Sequence, residues 1–436
     1  MCTSQGSFSV FSKFAKILAA SVALSDVGLS QASCTELEVW GWYAHAPAEM
    51  ITVDWFRQAR ECGFTTLLQK GDDVQSLRRF LDMAHAANMK LGVQHESLWK
   101  DPASLVVELK DHPAVRFWYL KDEPSSELYA HLADLATKIR SVDTNRSHAL
   151  YVNLHPMNAD INKAFKNQGV TNYVEYMERA VREIGLEYLS LDHYAARVRP
   201  AMPDAWPYVE RCGREWYVSE NYYENLELAS TSARRCKVPL SLFARATSFT
   251  CVEYDHPVPS EATLRLEVYS ALAYGAKVIQ YFTYYTPPSS TMPLRFHDGC
   301  IAEDGRRGLA FDRVKRMNRE LHRRADGLFT DTELVCVGHT EPVPANCSRI
   351  MELPPFVEKL EAKGALVSVQ RIGDETLLMI VNRNLNAEMR LDIEFKGLVR
   401  RVCEDGEVVS ADRYGSVYLL YPGYAEIFLA KNPEQK

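Results

Sequence analysis

Asp122 and Glu123 stand side by side at the end of an aromatic-rich run, Val115-Arg-Phe-Trp-Tyr-Leu-Lys-Asp-Glu-Pro124. The run reads as a buried β-strand, and Pro124 stops it because proline has no N–H to give to a ladder. Carboxyl groups at a strand tip can donate a proton, accept one, or attack an electron-poor carbon. Asp192 is a third such group. In the run Tyr188–Tyr194 it shares parity with Ser190 and Tyr194, while Leu189 and Leu191 take the other face. Other strand ends offer Trp42, His95, Asn153, Tyr194, Gln280 and Tyr285. Rings stack on the C–H faces of a sugar, and amides and carboxylates bind its hydroxyls. The expectation is therefore a carbohydrate site with Glu123, Asp122 and Asp192 as catalytic groups and those six residues as substrate contacts. Plainer roles compete with it. Asp122 could cap a helix starting near Ser125, Lys121 could neutralise Glu123 from the same face, and Asp192-His193 could be a buried pair.

Short apolar strands alternate with amphipathic helices ahead of and behind these tips, which is the pattern of βα units on a parallel sheet. Strands are expected at Val39–His45, Phe64–Gln69, Lys90–His95, Val115–Glu123, His148–His155, Tyr188–Tyr194, Leu240–Phe249 and Lys277–Tyr285. Helices are expected at Val53–Cys62, Asp73–Asn88, Pro102–Asp111, from Ser125 or Ser126, Asn172–Ile184, Asn225–Arg235, Glu261–Tyr274 and Phe311–Arg324. In the second, Leu77, Phe80, Leu81 and Ala84 recur at helical spacing. Eight such units over roughly 290 residues fit a (β/α)8 TIM barrel, whose chemistry sits at the C-terminal strand ends. From about Thr330 the period changes to two. Leu334–His339, Ala365–Gln370, Thr376–Asn382, Met389–Phe395, Leu398–Glu404 and Val417–Tyr421 read as a C-terminal antiparallel β-sandwich. The expected division is 1–32, 33–328 and 329–436.

The chain has 436 residues, 47% hydrophobic, with a net charge of −7. That suffices for a large core and a smaller one, and it offers no basic surplus for nucleic acid. Lys13 and Lys16 precede the apolar run Ile17–Leu24, and Ser30-Gln-Ala32 supplies small residues for cleavage. Residues 1–32 thus look like a secretory signal peptide, making the protein exported, periplasmic or extracellular. A lipid anchor at Cys34 is the lesser alternative, because Gln31 sits where such signals carry an aliphatic residue. No other segment is apolar enough to span a membrane. Ten cysteines lack any C-x-x-C or Cys/His cluster, so no structural zinc is expected, and Cys336 with Cys347 is the disulfide that proximity favours.

Three motifs carry a resemblance: Tyr119-Leu-Lys-Asp-Glu-Pro124, Asp192-His-Tyr194, and Ala271-Leu-Ala-Tyr-Gly-Ala276 with Gln280-Tyr-Phe-Thr-Tyr284. Over Trp40 to about Arg324 they resemble barrel glycoside hydrolases of the β-galactosidase type, family 42-like in clan A. The resemblance implies a glycosidase in which Glu123 is the general acid/base, held protonated by a raised pKa, with no cofactor. It also implies a nucleophilic Glu at the tip of strand seven. Leu240–Phe249 has none; Glu253 lies four residues on and Glu220 precedes the sixth helix. Two other mechanisms fit. Asp192 can serve as the second carboxylate, or Asp122-Glu123 resembles the pair of hexosaminidases that recruit the substrate's own acetamido group. A non-catalytic glycan-binding barrel is the alternative of another class. A metal-dependent hydrolase using His95, Asp192 and His193 is the weakest. Sugar identity, linkage and oligomeric state have no signature in the sequence.

Overall fold

The computed structural model describes residues 35–157, 170–198, 216–250, 255–288 and 295–432. The expected leader 1–32, Cys34, positions 199–215 of the insertion after strand six, and Glu253 lie outside them. Eight strands and eight long helices alternate: β1 (Glu38–Gly41), α1 (Val53–Glu61), β2 (Thr66–Lys70), α2 (Val74–Ala86), β3 (Lys90–Gln94), α3 (Pro102–Leu109), β4 (Val115–Asp122) and α4 (Tyr129–Val142). Then follow β5 (Ala149–Asn153), α5 (Tyr173–Ile184), β6 (Leu189–Leu191), α6 (Tyr222–Cys236), β7 (Leu240–Arg245), α7 (Glu261–Ala273), β8 (Ala276–Phe282) and α8 (Phe311–Ala325). The strands form one parallel sheet in the order β5-β4-β3-β2-β1-β8-β7-β6. A bridge between Leu154 and Leu191, with the Leu154 N–H donating to Ser190 O at 2.9 Å, brings its two edges together. A parallel sheet whose edges meet and whose outer face carries helices is a (β/α)8 barrel.

Local chemistry explains the element ends. Thr52, Asp73, Asn172 and Ser260 each cap a helix by accepting a backbone N–H in the first turn. Gly63, at φ +90°, lets the chain leave α1 by a route that costs an L side chain energy. Inside the ring, Trp40, Trp42, Phe117, Tyr119, Tyr151 and Phe243 form a closed aromatic fill, while Trp118 and Leu120 face the helices. Gly92 makes room for it, since a Cβ there would lie 2.0 Å from the Phe117 ring. Arg116 closes the bottom, paired with Glu38 at 2.7 Å and stacked over Trp40.

Four expected strands run well past their observed ends. The chain leaves β1 at Gly41, β6 at Leu191, β7 at Arg245 and β8 at Phe282, short of His45, Tyr194, Phe249 and Tyr285. The surplus is used elsewhere. Ser248–Thr250 joins Arg295–His297, Asp255–His256, Ala196–Val198 and Trp216–Val218 in a five-stranded antiparallel sheet that the sequence did not suggest.

Behind the barrel lie β9 (Glu333–His339), β10 (Val357–Ala362), β11 (Ala365–Ile372), β12 (Glu375–Asn382), β13 (Met389–Phe395), β14 (Arg400–Val402), β15 (Val408–Ser410), β16 (Val417–Leu420) and β17 (Ala425–Lys431). They make a six-stranded sheet, β9-β11-β12-β17-β14-β15, and a three-stranded one, β10-β13-β16. Phe395 and Tyr418 from the smaller sheet meet Phe428 of the larger, with ring centroids 4.8 and 5.5 Å apart. The buried Arg324 of α8 ties barrel to sheet by donating to Ala425 O at 2.9 Å and Val402 O at 3.2 Å. Cys336 and Cys347, expected as a disulfide, are free thiols. Proximity in sequence misled: Cys336 sits on β9 with its sulfur towards Glu352 O, whereas Cys347 turns towards Glu227 and His339.

Candidate active site

The decisive local feature is a register shift in β4. Tyr119 pairs with Tyr151, but Lys121 pairs with Val152 and Asp122 with Asn153, so Leu120 is an extra residue in the ladder. Such a bulge re-aims every side chain beyond it. The indole N–H of Trp99 donates to the Leu120 carbonyl at 2.7 Å, and Lys121 lies over the Trp99 ring at 5.8 Å. Lys121 is thereby drawn over Trp99, its charge only tempering the rise at Asp122, and the competing Lys121–Glu123 pairing does not form. Asp122 takes the inward position beside Asn153 instead of capping α4, and Ser125 makes no side-chain cap either.

Glu123 follows with φ +43°, a left-handed conformation that costs a non-glycine residue on the order of 1 kcal/mol. The break keeps adjacent carboxyls near one another where an unbroken strand would point them apart. Two bonds hold it: the Glu123 N–H donates to Asn153 O, and the Tyr176 hydroxyl of α5 donates to Pro124 O, both at 2.8 Å. The Glu123 side chain is partly open to solvent, and its Oε2 lies 3.3 Å from His155 Nδ1. That contact is too poorly aligned to count as a hydrogen bond, since His155 Nδ1 has no hydrogen-bond partner.

Asn153 joins the acids. Its Nδ2 donates to Asp122 Oδ1 at 3.2 Å and to Asp192 Oδ1 at 2.8 Å, while the Tyr194 hydroxyl donates to Asp192 Oδ2 at 3.1 Å. A buried polar layer beneath fixes which end of the amide faces up. Gln280 Nε2 donates to Ser190 Oγ at 2.8 Å and to Ser241 Oγ at 2.7 Å, and Tyr151 donates to Gln280 Oε1 at 2.8 Å. Ser190 Oγ lies 2.8 Å from the Tyr151 hydroxyl and 3.2 Å from Asn153 Oδ1, so the amide oxygen faces this layer and the NH₂ faces the carboxyls. Replacing Gln280 by Leu strands these hydroxyls in a buried layer. The expected loss is about 1–3 kcal/mol of stability together with reduced turnover, read by thermal unfolding and kinetics. Unchanged stability would contradict this account of the layer.

Burial is also what sets the charge states. It pushes Asp122 up to about 6, with the charge of Glu123 adding to the rise and the Asn153 bond opposing it. Burial pushes Asp192 well above the usual carboxylate range, reinforced by the charges of Glu123 and Asp122. Both acids thus hold a proton to higher pH than a free carboxyl does. Like charges sharing one desolvated site behave this way.

The other expected contacts divide. Asn153 and Tyr194 join the acids. Trp42 is buried under them as floor, edge-on to Tyr119, Tyr151 and Phe243. Gln280 lies deeper still, its amide wholly committed. His95 does not reach the acids: its Nδ1 accepts the Ser97 N–H at 3.1 Å and its Nε2 lies 3.3 Å from Asp72 O. Both nitrogens of His193 are likewise engaged, by Asn225 at 2.9 Å and Ser219 at 3.3 Å. A metal trio of His95, Asp192 and His193 therefore does not assemble. Tyr285 gives its hydroxyl to Glu303 O at 3.0 Å and lines a neighbouring cavity of about 450 Å³ with Tyr43, His45, Lys70 and Gln94. Tyr43 links that cavity to the acids, because the Asp122 charge adds to burial in raising its pKa. Its φ of +48° is a second left-handed backbone at the mouth. Nothing in the local pattern marks Tyr43 or Lys70 beyond their closeness to strand ends. At the tip of β7, Arg245 turns inward to the buried Glu267 region, and residues 246–250 include no carboxylate.

No protein-family model matches the chain, and no curated protein matches it. Among solved structures it is similar to a β-galactosidase from the psychrophilic Marinomonas ef1, at 12% identity and a TM-score of 0.47, over 66% of this chain and 60% of that one. It is also similar to a β-galactosidase from the Antarctic haloarchaeon Halorubrum lacusprofundi, at 12% identity and a TM-score of 0.42, over 65% and 58%. A γ-CGTase from an alkalophilic Bacillus clarkii matches at 10% identity and a TM-score of 0.47, over 92% and 71%. The chain spans less than two thirds of the length of either β-galactosidase. By its own strand order and edge closure, the chain falls in the class of (β/α)8 barrels, with an acidic cluster at the C-terminal mouth and antiparallel sheets behind.

Proposed function

We propose that the protein is a glycoside hydrolase acting on an oligosaccharide or glycan, with Glu123 as general acid/base. The observation that carries this reading is the mouth itself. Three carboxyls from the ends of β4 and β6 converge there, two of them tied through one amide. Glu123 is the carboxyl that solvent and substrate can reach, so it is placed to give a proton to a departing glycosidic oxygen and to take one back from water. Asp122 and Asp192 touch the same Asn153 nitrogen. Asp122, next to Glu123 in the chain and turned inward beside Asn153, is the second catalytic carboxylate.

A second reading draws on the left-handed turn at Glu123. It keeps adjacent Asp122 and Glu123 at one site while the β7 tip offers no acid. A substrate-assisted N-acetylhexosaminidase would use Asp122 to orient the acetamido group and Glu123 to protonate the leaving oxygen. The proposal includes export after loss of residues 1–32 and a change of unit near residue 329, with the C-terminal sheets as a sandwich bracing the barrel. Chromogenic β-galactosides, β-glucosides and N-acetylhexosaminides separate the readings. Turnover confined to acetamido sugars selects the second, and binding without turnover of any sugar would mark a glycan-binding barrel instead.

A further inference from the structure

Two groups of His, Cys and carboxylate side chains lie close enough to share an ion among the described residues, and neither is at the mouth. In Glu36–His322–Asp326 the histidine is used up: Nδ1 bonds Asp326 at 3.0 Å and Nε2 bonds Gly63 O at 2.8 Å. No ring lone pair is left for a cation. The other group, Glu227–His339–Cys347, differs on this point.

We propose that Glu227, His339 and Cys347 form a binding site for one divalent cation of the zinc class. A carboxylate oxygen, a ring nitrogen and the thiol sulfur all lie within 4.8 Å of one another. The three come from α6, the end of β9 and the strap after it, which turns back so that Ile350 N donates to His339 O at 3.1 Å and His339 N to Ser348 O at 2.9 Å. Imidazole, thiolate and carboxylate together suit zinc far better than calcium or magnesium, and three protein ligands leave a fourth position for water.

The surroundings favour the same reading. His339 is wholly buried, and its Nδ1 has no hydrogen-bond partner. Its other nitrogen faces the Tyr274 hydroxyl at 3.0 Å. With Nε2 donating to that hydroxyl, Nδ1 keeps a lone pair free of any partner. Cys347 is a free thiol, and the Glu227 carboxylate completes the trio. An acid thus crowds a thiol and an unpartnered ring nitrogen. The guanidinium nearby, Arg383, already donates to Thr340 O at 3.2 Å and Pro342 O at 2.6 Å. A divalent cation answers this arrangement: the thiol proton leaves to solvent, a sulfur–metal bond forms, and the Glu227 charge is balanced. Glu227 keeps its bonds to Ser348 meanwhile, since a carboxylate has lone pairs to spare. Bound metal would clip the strap to the barrel.

The test uses the full chain stripped with a chelator and then titrated with Zn²⁺ against a chromophoric competitor. One equivalent should bind and raise the unfolding temperature. Cys347→Ser should weaken binding at least about 100-fold, as loss of one ligand does. Cys336→Ser, which removes another free thiol, should bind as the parent does. Co²⁺ should give a thiolate-to-metal absorption band in the parent, and Zn²⁺ should protect Cys347 from alkylation. These two readouts stand even if Cys347→Ser fails to fold. Absence of stoichiometric binding, of the cobalt band, or of any difference between Cys347→Ser and the parent overturns the site.

Discussion

Glu123→Gln is expected to lower kcat by about 10³–10⁴-fold, in the upper range for loss of a general acid/base. Folding should be nearly untouched. The side chain is partly exposed, and its one ion-pair approach among the described residues is the poorly aligned one to His155. The amide is isosteric, so the left-handed backbone at φ +43° is not asked to accept a new shape. Sugar affinity should also survive, because an uncharged group at the mouth still bonds to hydroxyls. The loss should depend on the leaving group. Glycosides of good leaving groups need little protonation and should retain more activity than alkyl glycosides. A variant as active as the parent on both kinds of substrate would remove Glu123 from the chemistry.

The second large effect is expected from Asp122→Asn, and its sign changes with the property measured. In the folded protein Asp122 titrates near 6, against about 3.9 in an unfolded chain. The folded state therefore holds this proton more tightly. Its contribution is fully present below about pH 4, is lost as pH rises through 6, and amounts to a penalty on the order of 2–3 kcal/mol above that. Asparagine removes the charge and keeps the oxygen that accepts from Asn153 at 3.2 Å. The variant should be more stable than the parent at pH 8, equal to it at pH 4, and slower in turnover by about 10²-fold. Chemical denaturation at the two pH values reads the first two. A variant destabilised at pH 8 would mean that Asp122 is not a desolvated anion. A gain in stability with a loss of activity is what a site built for chemistry gives up when its strain is relieved.

The repeat of strand and helix could be read from the sequence because each helix announces itself. In α2, Leu77, Phe80, Leu81 and Ala84 recur at helical spacing, and those four are its buried residues. Asn172 and Asp73 sit where helix caps belong and serve as caps. Parity alone put Asp192 with Ser190 on the inner face, where Ser190 supports the amide that holds Asp192. Parity failed on β4, because a period of two cannot foresee an extra residue, and the plainer roles, Lys121 neutralising Glu123 and Asp122 capping a helix, went with it. The partners of His193 and Gln280, and Asp72 beside His95, lie on other elements, so no local pattern reports whether their nitrogens are already engaged. The strand β17 escaped notice for a related reason. Ala425–Ala430 is buried throughout, with Glu426 paired to Arg401 at 2.6 Å, so it shows no alternation.

The odd residue at Leu120 has a consequence for anyone altering this chain. Any change that let the ladder take up Leu120 in turn, setting it opposite Val152, would keep the ring of strands yet rotate the far end of β4 by half a period. Lysine would then face the hollow where aspartate now does, and the acid pair would part. The scaffold would survive its own loss of purpose, so spectra reporting an intact fold would say nothing about whether the mouth can still work.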